Sequence, residues 1–88
     1  MVKEFFMKIK LYTMPSCVVC IHMKTLLKKA NLEWEEIVIG EDMPLEAFNN
    51  EYPHVDKTPF TIIDDKHYYE LTEVAKKLLT EGLITLKK

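Results

Sequence analysis

Only two cysteines occur in the 88 residues, at Cys17 and Cys20. A small secreted scaffold would carry more, at wider spacings, to make up for a thin core. The count points to a reducing compartment, and by elimination to the cytoplasm. Basic charge is scarce too: 12 Lys and Arg stand against 14 Asp and Glu, a net charge of -2. Nucleic-acid binding usually needs a basic face. The pairs Lys28-Lys29, Lys76-Lys77 and Lys87-Lys88 are spread out, as solvated helix ends are. No run approaches the roughly 20 apolar residues that cross a bilayer. The start, Met1 to Met7, is too short an apolar run for a signal peptide and carries Glu4. Repeats, linkers and low-complexity segments are also missing. What remains is one expected domain, 1-88, acting as a monomer with neither nucleic acid nor membrane as partner.

What is present centres on Thr13-Met14-Pro15-Ser16-Cys17-Val18-Val19-Cys20. Before it, Lys8 to Tyr12 alternates polar and apolar residues, which predicts a strand, and Pro15 prevents that strand from continuing. After it, Val19, Met23, Leu26, Leu27 and Ala30 recur at helical spacing from Cys17 to Ala30. Lys28 and Lys29 suit the negative end of that helix, and Asn31 suits its left-handed stop. A helix N-terminus carries partial positive charge and unpaired N–H groups. A thiol placed there ionises more readily, and the thiolate is the reactive form.

Downstream, Leu32 to Ile39 predicts a second strand that Gly40 stops. Strand, helix and strand in this order favour a parallel right-handed unit. Asp42 is the expected N-cap and Pro44 the first turn of a short helix, with Leu45 and Phe48 on one face. Tyr52 to Lys57 is a loop, and Thr58-Pro59 precedes a third strand, Phe60 to Ile63. Asp64-Asp65-Lys66 is a hairpin turn, and His67 to Glu70 returns as a fourth strand. Thr72 is the expected cap of a last helix that buries Val74, Ala75, Leu78 and Leu79. Gly82 followed by Leu83 fits its C-terminus. The order is β-α-β-α-β-β-α: an α/β fold with a four-stranded mixed sheet and three helices.

Cys17 and Cys20, three apart on a first helical turn, share a face and lie within reach of an intramolecular disulfide. The redox reading competes with a static disulfide, with two inert buried thiols and with a zinc site. For zinc, His22, His54 and His67 would have to complete the set. Only one cysteine pair exists, and His22 points elsewhere on the helix, so no metal is expected. Tyr12 is either the wall of a substrate groove or core. Trp34 and Phe48 are expected in the core, and one of Tyr68 and Tyr69 at the surface.

Leu11 to Cys20, together with Thr58-Pro59 just before the third strand, resembles the thioredoxin superfamily. The likeness is strongest to its small glutaredoxin and phage thioredoxin-like members and runs from about Lys8 to Leu79. It implies the thioredoxin fold, a cis peptide before Pro59, a nucleophilic Cys17 and a resolving Cys20. The mechanism it implies is a mixed disulfide on Cys17 that Cys20 then resolves. Tyr12, Val18, Val19, Thr58 and Pro59 are the residues expected to meet substrate, with Thr58 offering its backbone to an extended segment. The resemblance further implies protein disulfides as substrates, ribonucleotide reductase among them. Electrons would come from a reductase or from glutathione, with no tightly bound cofactor. The chain departs from the pattern at four places. Val18-Val19 replaces the usual Pro-Tyr or Gly-Pro, and Met14 stands where many glutaredoxins have lysine. Tyr69-Glu70 stands where they carry the Gly-Gly that helps hold glutathione. The Trp-Ser-Gly-Phe segment of the ribonucleotide reductase donors is absent.

Overall fold

Strand β1 (Ile9–Thr13) is the element on which the rest is laid. It is followed by α1 (Val18–Lys29), β2 (Glu35–Val38), α2 (Leu45–Glu51), β3 (Phe60–Ile63), β4 (Lys66–Tyr68) and α3 (Leu71–Thr80). The structure is a computed structural model that describes residues 8–82. Met1 to Met7, expected either to lengthen the first strand or to fray, and Leu83 to Lys88, expected as a loosely attached tail, lie outside the described residues. The sheet order is β2-β1-β3-β4. Strand β2 runs parallel to β1, with Tyr12 opposite Ile37, while β3 is antiparallel to β1 and β4 to β3. A helix connects the parallel pair, as a crossover must, and a tight turn connects the antiparallel pair.

Alternation along β1 and β3 sends side chains to both faces of the sheet. Ile9, Leu11 and Ile63 meet Met23, Leu27 and Ala30 of the α1 region and Val74 and Leu78 of α3 in one apolar layer. Tyr12 and Phe60 meet Ile39, Phe48 and Val55 in a second layer on the opposite face. Burying a side chain of this size contributes about 1.5–3 kcal/mol. Tyr12 packs on Phe48, Tyr52 and Phe60 with ring centroids 5.2, 5.5 and 5.7 Å away. Of the two expectations for Tyr12, its 3% exposure is that of core.

Helix α1 ends as Asn31 predicts. Asn31 is left-handed (φ 59°). The Leu32 N–H donates to the Leu27 carbonyl and the Asn31 N–H to the Lys28 carbonyl, a Schellman closure. Gly82, also left-handed at φ 74°, closes α3. Four local expectations are corrected. Strand β2 begins at Glu35, so Trp34 lies before it, half-buried against the first layer. Asp42 does not cap α2; Pro44 holds that position, and the Asp42 carboxylate accepts the Val38 N–H at 2.9 Å, tightening the turn after β2. Leu45 does not share the buried face of Phe48 but is 48% exposed. Thr72 does not cap α3: the helix starts at Leu71, with Glu70 as N-cap, and Glu73 Oε1 accepts the Tyr69 and Glu70 N–H groups at 2.7 and 3.3 Å. A carboxylate one turn into a helix satisfies free donors that a threonine hydroxyl at the second helical position cannot reach.

Candidate redox site

The site is built where β1 gives way to α1. Pro15 and Ser16 turn the chain, with Ser16 left-handed at φ 64°. Cys17 then takes the N-cap position in extended conformation (φ -99°, ψ 107°). Its sulfur does what a capping oxygen does elsewhere: Sγ accepts the backbone N–H of Cys20 at 3.0 Å. One turn of helix sets the Cα atoms of Cys17 and Cys20 5.2 Å apart, and a disulfide joins the two residues. That separation lies within the span a disulfide bridges without backbone movement.

The two sulfurs differ in access. Cys17 is half-buried, while Cys20 is 2% exposed and packed under the helix start. A second donor reaches Cys17 from far along the chain: Thr58 Oγ1 lies 3.7 Å from Sγ, across 41 residues. Thr58-Pro59 is a cis peptide, as the resemblance implies. Pro59 itself is buried. Val18 and Val19 stand beside the disulfide, 64% and 45% exposed.

Beneath the disulfide lies a polar group that the sequence did not single out. Glu36 on β2 accepts the Thr13 hydroxyl at 2.7 Å and the Lys24 ammonium at 3.1 Å, both on Oε2. An open cavity of about 300 Å³ is lined by Cys17, Cys20, Thr13, Lys24, Glu36 and Glu41, among others. On the other side of Met14, a second cleft of about 450 Å³ runs past Leu45, Phe48, Val55 and Thr58. Among the described residues, no three His, Cys, Asp or Glu side chains are grouped as a metal would require. No helix among them is long and apolar enough to cross a membrane.

The family model for glutaredoxin matches residues 9–68, from β1 to the end of β4. The chain belongs to the glutaredoxin family. Its structure is similar to that of glutaredoxin 1 from Francisella tularensis complexed with cacodylate: TM-score 0.70, 26% identity, covering 88% of this chain and 96% of that one. It is also similar to a thioredoxin-like protein solved as a point mutant: TM-score 0.66, 30% identity, covering 82% of this chain and 99% of that one. No curated protein sequence matches the chain. Family, thioredoxin-type fold and paired cysteines together make this glutaredoxin a thiol-disulfide oxidoreductase.

Between the loop before β3 and the start of α3 this glutaredoxin carries side chains of its own. Tyr69, 38% exposed, lies 5.6 Å from the Phe60 ring and 5.9 Å from His54. Glu70 pairs with Lys57 at 3.5 Å, linking the start of α3 to the loop that holds Thr58. His54 and His67 stack on each other, centroids 5.8 Å apart, on this aromatic side and not beside the cysteines. His22 is exposed on α1. The three histidines weighed as zinc ligands are thus divided between two parts of the surface.

Proposed function

We propose that this glutaredoxin works as a dithiol reductant of protein disulfides, with Cys17 as nucleophile and Cys20 as resolving thiol. The observation that carries the reading is the asymmetry of the pair. Cys17 is the accessible sulfur, held at a helix N-terminus by the Cys20 N–H and near the Thr58 hydroxyl. Both donors favour a charged sulfur, and the thiolate is the attacking form. Cys20 is buried one turn further on, 2% exposed, where the Cys17 sulfur is the one within reach. Cys17 thiolate attacks a substrate sulfur and forms a mixed disulfide; Cys20 attacks Cys17 and releases the reduced substrate.

Val18, Val19, Thr58 and Pro59 form the surroundings in which the substrate segment sits. Tyr12 supports that surface from below, through Phe60. Protein disulfides suit the site better than glutathione alone. By the resemblance, Tyr69 and Glu70, here packed on Phe60 and paired with Lys57, stand at the sequence positions where other glutaredoxins carry the small glycines that help hold glutathione. Met14 adds an apolar side chain where many carry lysine. Ribonucleotide reductase is the protein substrate the family resemblance puts first. Glutathione, the usual glutaredoxin reductant, and a protein reductase are the two electron sources for returning the disulfide to the dithiol. Such a cycle belongs in a reducing compartment such as the cytoplasm.

The test is insulin reduction with dithiothreitol as electron source. The wild-type protein is expected to accelerate precipitation of the insulin B chain, and Cys17→Ser is expected to abolish the acceleration while leaving the circular dichroism spectrum unchanged. Activity that survives Cys17→Ser would overturn the assignment.

A further inference from the structure

The disulfide stands at one end of the molecule, and charge is sorted along the axis that leads to it. Strand β1 runs towards Cys17, and β4, antiparallel to β3, runs the same way. Helices α1 and α3 start at that end and run away from it. Lys8 and Lys10 on β1, Lys66 on β4 and the lysine pairs in the later halves of α1 and α3 therefore lie towards the far end. The described lysines left near the disulfide are each matched: Lys24 with Glu36 at 3.1 Å and Lys57 with Glu70 at 3.5 Å. Carboxylates remain there in excess. Glu41 lines the cavity beside Cys17 and Cys20. Asp56 lines the cleft that runs from Met14 to Thr58. Asp42 sits in the turn after β2, and Glu46 in the first turn of α2 next to Leu45. All four are exposed, and among the described residues no cation pairs with them.

We propose that the protein disulfides this glutaredoxin reduces are flanked by positive charge, in segments whose apolar part lies in the cleft between Met14 and Thr58. This rests on the dithiol function proposed above and names the class of its substrate. The cleft has apolar walls: Ile39, Phe48 and Val55 are buried beneath it, and Met14 and Leu45 are exposed along it. Its volume is about 450 Å³. It reaches Thr58, whose hydroxyl lies 3.7 Å from the Cys17 sulfur, so a segment whose cysteine meets Cys17 can extend into it. Met14 borders both openings, the cavity with Glu41 on one side and the cleft with Asp56 on the other. Side chains next to the substrate cysteine thus come between carboxylates.

A lysine or arginine there is attracted while it stays in water at an exposed rim, and a glutamate there is repelled. A second copy of this chain would set the same carboxylates against one another. The charge therefore selects a basic partner over an acidic one or a like copy. Charge at a rim acts chiefly on the rate of encounter, and salt screens it.

The experiment mixes the reduced protein with two synthetic peptides that differ only in the residues flanking an internal disulfide, lysine in one and glutamate in the other. The second-order rate constant for peptide reduction is measured in about 10 mM and about 1 M sodium chloride. Reduction of the same peptides by dithiothreitol gives the ratio due to the peptides alone, and the protein's ratio is divided by it. In the low salt the lysine peptide is expected to react about tenfold faster after that division, the low end of what electrostatic steering gives. In the high salt, where the screening length falls from about 30 Å to about 3 Å, the ratio is expected to drop below about twofold. Glu41→Gln combined with Asp56→Asn is expected to bring the low-salt ratio to about threefold. Glu81→Gln, at the far end of α3, is expected to leave it at the wild-type value. Equal rates for the two peptides in low salt, or a preference for glutamate, overturn the inference. So does a preference that high salt or the double substitution leaves unchanged. A rate per molecule that falls as protein concentration rises would give the cleft to a second copy of this chain and overturn it too. Reduced protein that leaves both peptides oxidised would overturn the dithiol function itself.

Discussion

The sulfur of Cys17 gathers its donors from two distances, and the difference explains what the sequence discloses about the site. The Cys20 N–H is local, a consequence of Cys-x-x-Cys at a helix start, so the cysteine spacing announces it. The Thr58 hydroxyl arrives across 41 residues, and the Glu36 carboxylate that accepts the Thr13 hydroxyl nearby belongs to another strand, so neither contact exists until the sheet is closed. Tyr12 shows the same limit, since a tyrosine beside the motif suits groove or core until packing decides. Its phenol is pushed above the usual tyrosine range, first by burial and then by the hydrogen bond to Tyr52 and the negative charge of Tyr52, Glu51 and Glu35. Folding thus favours the neutral phenol. The unfolded chain releases that proton near pH 10, so the contribution of Tyr12 is complete below about pH 10 and is lost as pH rises from there. Stability is expected to fall above pH 10 in urea titrations, and Tyr12→Phe is expected to flatten that fall. At pH 7 the substitution should cost less than about 1 kcal/mol, because the 3.5 Å contact to Tyr52 is long. A Tyr12 phenol that titrates near pH 10 in ultraviolet absorbance would contradict this.

The elements were legible where a period or a breaker residue marks them. The β-α-β-α-β-β-α order follows from alternation in Lys8 to Tyr12, the 3.6-residue spacing in α1 and α3, and the stops at Asn31, Gly40 and Gly82. Less legible were places where several polar residues compete for one role, as Thr72, Glu70 and Glu73 do at the start of α3. The β3–β4 hairpin is a sharper case. Its loop is only Asp64-Asp65, both with positive φ (50° and 72°), and Lys66 already belongs to β4. Such a turn wants Asn or Asp first and Gly second. Asp64 has a reason to stay, since its carboxylate accepts the Lys8 N–H at 2.9 Å. Asp65 bears only the conformational cost. Asp65→Gly is therefore expected to raise the stability by about 0.5 kcal/mol, read as a higher urea midpoint at unchanged slope. Asp64→Gly, which loses the Lys8 bond, is expected to lower it. Equal effects of the two substitutions would mean that the turn conformation is not what limits the hairpin.

Across the described residues, apolar side chains left in solvent are not scattered. Met14, Val18, Val19 and Ile21 are exposed within eight residues of one another around the disulfide, at 37%, 64%, 45% and 57%. Leu45 shares with Met14 the cleft that runs to Thr58, so the rim continues from α1 to α2. The two faces of the sheet bury their apolar residues well, so this end is not simply a poorly filled core. Exposed apolar groups gathered around a reactive group mark a contact surface. A disulfide in a protein brings flanking residues that press on such a rim, whereas a small disulfide touches little beyond the sulfurs. The two substrate classes should therefore respond differently to a charge placed on the rim. Val18→Asp is expected to lower kcat/KM for insulin reduction about tenfold, the equivalent of ~1.4 kcal/mol in transition-state binding. The rate with hydroxyethyl disulfide should stay within about threefold, because an exposed aspartate at the first helical position also disfavours a neighbouring thiolate only modestly through water. Parallel losses on both substrates would place the effect of Val18 on Cys17 itself and remove the rim from substrate recognition. A loss confined to insulin would make the rim the part of this glutaredoxin that selects proteins.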